Sequence, residues 1–263
     1  MFGEPGEKSG SFCVRLWVHT QRNSLIGGSY VLRLGYGMGY DTSYLVLVLV
    51  STLLGLVTQS YIKSTYKTWS KVGLDCGLTG AQVAERMLAD EGVSGMRIQP
   101  IAGELTDNFD PRSNVLNLSR ANLSGGSVAS AAVACHEAGH AVQHSRGYIP
   151  VKVRSALVPI VNFTSNVWMI VFFAGVAIGL AGLVQLAVIL FAFSVIFQIV
   201  TLPVEFDASR RAVAYLERSG MSETAVRGAR KVLVAAALTY VAAALVSVLQ
   251  LLYYLSRVQR RND

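Results

Sequence analysis

His136-Glu137-Ala138-Gly139-His140 sets two imidazoles at i and i+4 with a carboxylate next to the first. On a helix the two imidazoles leave the same face one turn apart and can close on a single Zn²⁺, while Glu137 is placed to serve as a general base. That is the chemistry of metal-assisted hydrolysis. It requires a third ligand, a helix that holds the pair, and room for a substrate.

Histidine is a poor source of the third ligand. A metzincin continues with a glycine and a third histidine, and Gln143 and Arg146 stand where those should fall, which excludes that class. His19 lies in a stretch without sustained periodicity. His144 continues the helical face a further turn, too far along the axis to join both others, and is expected to support the site or sit on the surface. Cys135 points about 100° away from its neighbour His136 and reads as a small buried side chain. A carboxylate is therefore expected.

Where that carboxylate comes from depends on how the chain is laid out. Hydrophobic residues make up 52% of the 263 and charged residues 15%, and the mean hydropathy is +0.44, values that point to membrane spans. The net charge of +7 comes largely from basic residues flanking apolar segments, where they set topology and meet anionic head groups. No nucleic-acid module is present, so no nucleic-acid partner is expected. Cys13, Cys76 and Cys135 form neither a CxxC pair nor a disulfide framework, as suits a reducing compartment.

Residues 1–40 read as a flexible extension, with Met38 a candidate start. Residues 42–62 are uncharged and long enough for a first span, and Lys63, Lys67 and Lys71 mark its cytoplasmic end. Residues 63–157 read as the catalytic portion. Thr79-Gly80-Ala81-Gln82 opens a helix with a capping box that Gly92 ends. Arg97 to Ala102 and Asn114 to Leu118 read as strands of a short hairpin, turned at Asp110-Pro111. Leu105, Thr106, Asp107 and Asn108, beside its edge, are the candidate substrate-binding stretch. After Ser124 to Ser127 a run of small residues leads into the motif and predicts a buried central helix ending near Gly147.

Ser155 to Val204 carries no formal charge. It is too long for one crossing, so residues 158–204 read as a hairpin of two spans, Phe163 to Leu180 and Leu183 to Thr201, turning near Gly179, Gly182 and Gln185. The hairpin returns the chain to the face that carries the motif. Glu205 then opens a new helix after Pro203, within a third-ligand helix and basic connector at 205–231, followed by a fourth span at 232–256 and a tail at 257–263. A carboxylate this close to a span is costly unless paired or bound to metal. Glu205 is the expected third ligand, the alternative being that it caps its helix. Ser209 shares its face one turn on and is expected behind the ligands. Asp207 should face away.

Four stretches carry a family resemblance: Gly103 to Pro111, His136 to His144, Arg154 to Pro159, and Leu202 to Ser209. Through them the chain, from about Asp41 onward, resembles the YugP-like family of neutral zinc metallopeptidases. The resemblance implies zinc-dependent peptide hydrolysis at a membrane. More distantly the layout is similar to the HtpX and CAAX-prenyl protease group, whose metal glutamate lies in Glu-x-x-Ala-Asp. Glu205 and Ala208 match that pattern, and Ser209 replaces its Asp.

The expectation is thus a mainly α multi-span membrane protein with four transmembrane helices and a small α+β zincin-like catalytic portion. His136, His140 and Glu205 would hold Zn²⁺ and Glu137 would act as base, with Tyr215 and Asn108 among the candidates for stabilising an oxyanion. The partners expected are a membrane-associated protein or peptide and the lipid bilayer. The setting expected is a bacterial plasma membrane or organellar equivalent, with the site on the cytoplasmic side. Two rivals are a protease cutting inside the bilayer and a non-catalytic metal-binding scaffold.

Overall fold

The computed structural model describes residues 42–259; the expected extension at 1–40, the candidate start at Met38 and residues 260–263 of the tail lie outside them. The chain runs α1 (Thr42–Trp69), α2 (Gly80–Asp90), β1 (Arg97–Ile101), β2 (Asn108–Asp110), β3 (Val115–Ser119), α3 (Arg120–Ser124), α4 (Val128–Ser145), α5 (Ile149–Ala177), α6 (Ala181–Arg218) and α7 (Glu223–Gln259). It is mainly α, with one small sheet. Among the described residues four helices, α1, α5, α6 and α7, are long and apolar enough to cross a membrane. On α1 the large apolar residues Leu45, Leu49, Leu53 and Leu56 face outward, while Ser51 and Gly55 are buried. This inside-out arrangement, with small residues where helices touch, suits a lipid surround.

The spans run further than the uncharged stretches alone suggest. α6 continues through Pro203 to Arg218, where the sequence predicts a span ending at Thr201 and a fresh helix at Glu205. Proline disfavours helix in the residue before it and removes one backbone donor, hence the expected break. Here the helix passes straight on, and Pro203 is exposed on its side. Glu205 is therefore mid-helix, which excludes the helix-capping alternative. α5 likewise starts at Ile149, with Pro150 in its first turn, and turns into α6 at residues 178–180. Gly179 takes φ 72° there, whereas Gly182 and Gln185 are already helical.

The expected hairpin is replaced by a three-stranded sheet in the order β1-β3-β2. The two segments predicted to pair as a hairpin, β1 and β3, are parallel neighbours. The hairpin is formed by β2 and β3, and β2 has only three residues, too few to show an alternating pattern. Its turn does use Asp110-Pro111: the Asp110 carboxylate accepts from the Arg112 N–H at 3.0 Å and the Ser113 hydroxyl at 2.7 Å, and Asn114 takes φ 51°.

α2 starts on the expected capping box, with Gln82 N–H donating to Thr79 Oγ1 and Thr79 N–H to Gln82 Oε1. Gly92 ends it at φ 69°. α4 is buried along nearly all its length and lies in one apolar core with α2, β2, β3 and the polar-end portions of α6 and α7. The close fit comes from small side chains. A Cβ on Gly139 would stand 2.8 Å from the Ala208 carbonyl oxygen, so α4 and α6 touch backbone to backbone at the level of the motif.

Candidate active site

That contact determines what meets what. His136, Gly139, His140 and Gln143 follow i, i+3, i+4, i+7 along α4 and face α6, where Glu205, Ala208 and Ser209 share a face. Both imidazoles aim Nε2 at Glu205 Oε2, His136 at 3.3 Å and His140 at 3.6 Å. Ligand atoms of a tetrahedral zinc with bonds of about 2.0–2.1 Å stand roughly 3.4 Å apart. The two distances to Glu205 therefore match edges of such a tetrahedron, and all three ligand atoms lie within 4.8 Å of one another. Glu205 is 1% exposed, and neither of its carboxylate oxygens has a hydrogen-bond partner. A buried carboxylate left so is costly unless a cation joins it. The His136, His140 and Glu205 group is positioned to bind a metal ion.

The outward nitrogens of both rings are taken. Gln143 Nε2 donates to the Val204 carbonyl at 2.8 Å and to Asp207 Oδ2 at 3.0 Å, which fixes its amide with Oε1 towards His140 Nδ1 at 3.0 Å. An amide oxygen only accepts, so His140 donates to it from Nδ1 and turns Nε2 towards the centre. On the other ring, Ser209 Oγ lies 3.1 Å from His136 Nδ1 and completes the same arrangement. Asp207 is held in turn by Arg210 at 2.5 Å and Arg211 at 2.6 Å. Such partners orient metal-binding imidazoles and raise their basicity.

In the sequence, Gln143 stands out only as a departure from the metzincin pattern and Asp207 only as facing away, and neither is given a role at the site. Asp207 does face away from Glu205, as its helical position predicts, but that direction leads to Gln143. The signal that was present is the spacing: Gln143 lies at i+3 from His140 on the same face.

Glu137 is 5% exposed. Its carboxyl accepts a hydrogen bond from the Phe109 backbone on β2, and its Oε2 has no partner. Burial, above all, pushes it up to about 7; His136 opposes the rise, and the Asp107 and Glu205 carboxyls add to it. An acid near neutrality with an unengaged oxygen is suited to proton transfer.

The other candidates are dispersed. His144 is exposed, its ring against Phe109 at 5.8 Å. Asp107 is buried and turned inward: it accepts from the Ser119 N–H at 2.7 Å and from Asn122 Nδ2 at 2.9 Å. Asn108 accepts from Asn117 Nδ2 at 3.0 Å, and its own amide donates to the Thr106 carbonyl at 2.9 Å. Both side chains are thereby engaged within the sheet and its loop. Thr106 bonds the Ala102 carbonyl, and Leu105 is exposed with φ 52°. Tyr215 packs in the core under Arg218. In this segment it is the backbone of edge strand β2, not its side chains, that reaches the motif.

A profile of the family described as "Putative neutral zinc metallopeptidase" matches residues 44–259. The chain is also similar to a Bacillus subtilis (strain 168) protein described as "Putative membrane protease YugP", with 41% identity over 212 residues, which are 80% of this chain and 94% of that one. No solved structure matches. With its four apolar helices and its buried His-His-Glu group, the chain belongs to the zinc metallopeptidase family that this profile describes.

Proposed function

We propose that the protein is a gluzincin-like metalloendopeptidase that cuts membrane-associated polypeptides at the bilayer surface, with His136, His140 and Glu205 as zinc ligands and Glu137 as the general base. The observation that carries this reading is the convergence of two Nε2 atoms on an otherwise unpartnered, buried Glu205, with each Nδ1 taken from behind. Zinc held there supplies Lewis acidity, lowering the pKa of a bound water and polarising a scissile carbonyl. Glu137 accepts the proton of the attacking water and delivers it to the leaving amine. Ser209 and Gln143 keep the two rings in the metal-binding tautomer. Edge strand β2 and the Leu105 to Asn108 stretch that leads into it offer a place where an extended peptide can add as a strand.

Cleavage at the surface is favoured over cleavage inside the bilayer because α4 is not one of the four candidate spans and packs in one core with the capped helix α2 and the sheet. The basic residues on that side, Lys63, Lys67, Arg210, Arg211 and Arg227, argue for a cytoplasmic site. Glu137→Gln is the test. Zinc stoichiometry should be unchanged, while peptide hydrolysis falls by about 10²–10⁴-fold, the usual weight of a general base. Retained hydrolysis in a zinc-loaded variant would favour a scaffold instead.

A further inference from the structure

The strand edge beside the motif lacks half of what an added strand needs. In an antiparallel ladder, residues alternate between those that turn both N–H and C=O to the partner strand and those that turn both away. Phe109 gives its N–H to the Glu137 carboxyl, so it is an outward residue of β2, and its C=O lies along the free edge. The outward positions on either side are residues 107 and 111. The Asp107 N–H turns back to its own carboxylate, and Pro111 has no N–H. Among the described residues, the free edge of β2 therefore presents carbonyls and no available backbone donor. A polypeptide added there can place an N–H on the Phe109 carbonyl, but its own carbonyl next to that N–H finds no backbone partner.

His144 stands where that partner is missing. It follows Glu137 by two helical turns on the same face of α4, and both meet the same residue of β2. Glu137 does so through the Phe109 backbone, and His144 through the Phe109 ring, with centroids 5.8 Å apart. Glu137, His140 and Glu205 are buried, whereas His144 is exposed, and among the described residues its ring nitrogens make no hydrogen bond. We propose that His144 binds substrate: its ring N–H donates to a backbone carbonyl of the polypeptide laid along β2, supplying the donor that the strand edge lacks. The inference rests on the peptidase reading above and adds how the substrate chain is held. Along the helix axis His144 lies about 6 Å beyond His140, the length of about two extended residues, so the carbonyl it holds is about two residues from the bond being cut. α4 runs antiparallel to α6, with His136 at Ser209 and Gln143 at Val204. His144 is thus on the side of the metal centre nearer the apolar stretch of α6, and the part of the substrate it holds is the part nearer the membrane.

The test uses zinc-loaded full-length protein and internally quenched peptides built on a cut that the wild type, and not Glu137→Gln, makes in β-casein. His144→Leu should raise KM about tenfold with kcat little changed, as expected for one hydrogen bond made equally by bound substrate and transition state. His144→Gln keeps an N–H donor and should restore most of the loss. In peptides shortened from each end, the effect of His144→Leu should vanish at one end once the carbonyl about two residues from the cut is removed. Zinc content and unfolding midpoint should match wild type in both variants, since the side chain is exposed. Wild-type kinetics in His144→Leu would overturn the inference, as would equal losses in His144→Leu and His144→Gln, or a loss that persists in the shortest peptides. Zinc lost from His144→Leu would overturn it too, by assigning the residue to the metal centre. If no cut separates wild type from Glu137→Gln, the peptidase reading itself fails, and the role of His144 fails with it.

Discussion

Two buried polar clusters lie close together in this protein and are built in opposite ways. Around Asp107 the donors and acceptors are matched: Ser119, Asn122 and Tyr66 form one chain of hydrogen bonds into its carboxylate, and Gln99, Asn117 and Asn108 form another across the three strands. Around Glu205 the supporting groups are just as fully bonded, through Gln143, Asp207 and Ser209, yet the carboxylate and two imidazole nitrogens at the middle share only one another. A closed network holds a fold together. One that is complete everywhere except at its centre holds a place for a cation.

The comparison breaks most decisively at Glu205. Glu205→Gln should abolish bound zinc and hydrolysis together, read by metal analysis and peptide assay. Thermal unfolding sharpens it. In metal-free protein this substitution should raise the midpoint, because an uncompensated buried charge is gone, whereas against zinc-loaded wild type it should lower it. A metal-free midpoint that falls would mean that Glu205 is satisfied by protein groups alone. Gln143→Leu comes next. Losing the acceptor for His140 Nδ1 should weaken zinc binding by about 10–100-fold, measured by chelator competition, without removing a ligand.

On the closed side, Asp107→Ala leaves the Ser119 and Asn122 donors buried without their acceptor. The expected loss is about 1–3 kcal/mol per stranded group, seen as a lower unfolding midpoint with zinc stoichiometry intact. Loss of zinc on this substitution would erase the distinction between the clusters.

What the sequence could and could not convey follows the same division. The helical pair and the distant carboxylate that meets it are recoverable from spacing and from the alternation of charged and uncharged stretches, because a helix hairpin brings the chain back to the motif; the role of Glu137 remains a proposal. Pro203 misled because a proline signals a helix end in water, while α6 carries on through it from apolar stretch to polar head. The sheet order was hidden because β2 has three residues, and β1 meets β3 through a crossover that local pattern does not encode. The role of Gln143 was hidden because its i+3 spacing from His140 puts it on the ligand face without saying what its amide would bond. Its role exists only once Gly139 lets α4 settle on Ala208 and brings Asp207 within reach.

The smallest effect lies at the rim, where Glu91, at the end of α2, bonds Arg146 after α4 and Arg218 at the end of α6. Burial tends to raise its pKa, but the two guanidinium groups outweigh it and hold the carboxyl below its ordinary value. A depressed acid stabilises the fold above its unfolded pKa, and the contribution disappears as pH falls through the folded one. Both arginine side chains are about half exposed, so solvent and salt reduce the pair to about 0.2–1 kcal/mol. Glu91→Gln should therefore lower the unfolding midpoint by about one to three degrees at neutral pH and low salt. The difference should shrink as pH drops below the ordinary glutamate range or as salt rises. Zinc binding should not change at any of these conditions, since the clamp joins the ends of three helices whose contact at the motif is already made by Gly139 and Ala208. A Glu91→Gln protein that lost zinc would show that the open cluster depends on its periphery as well as on its own partners.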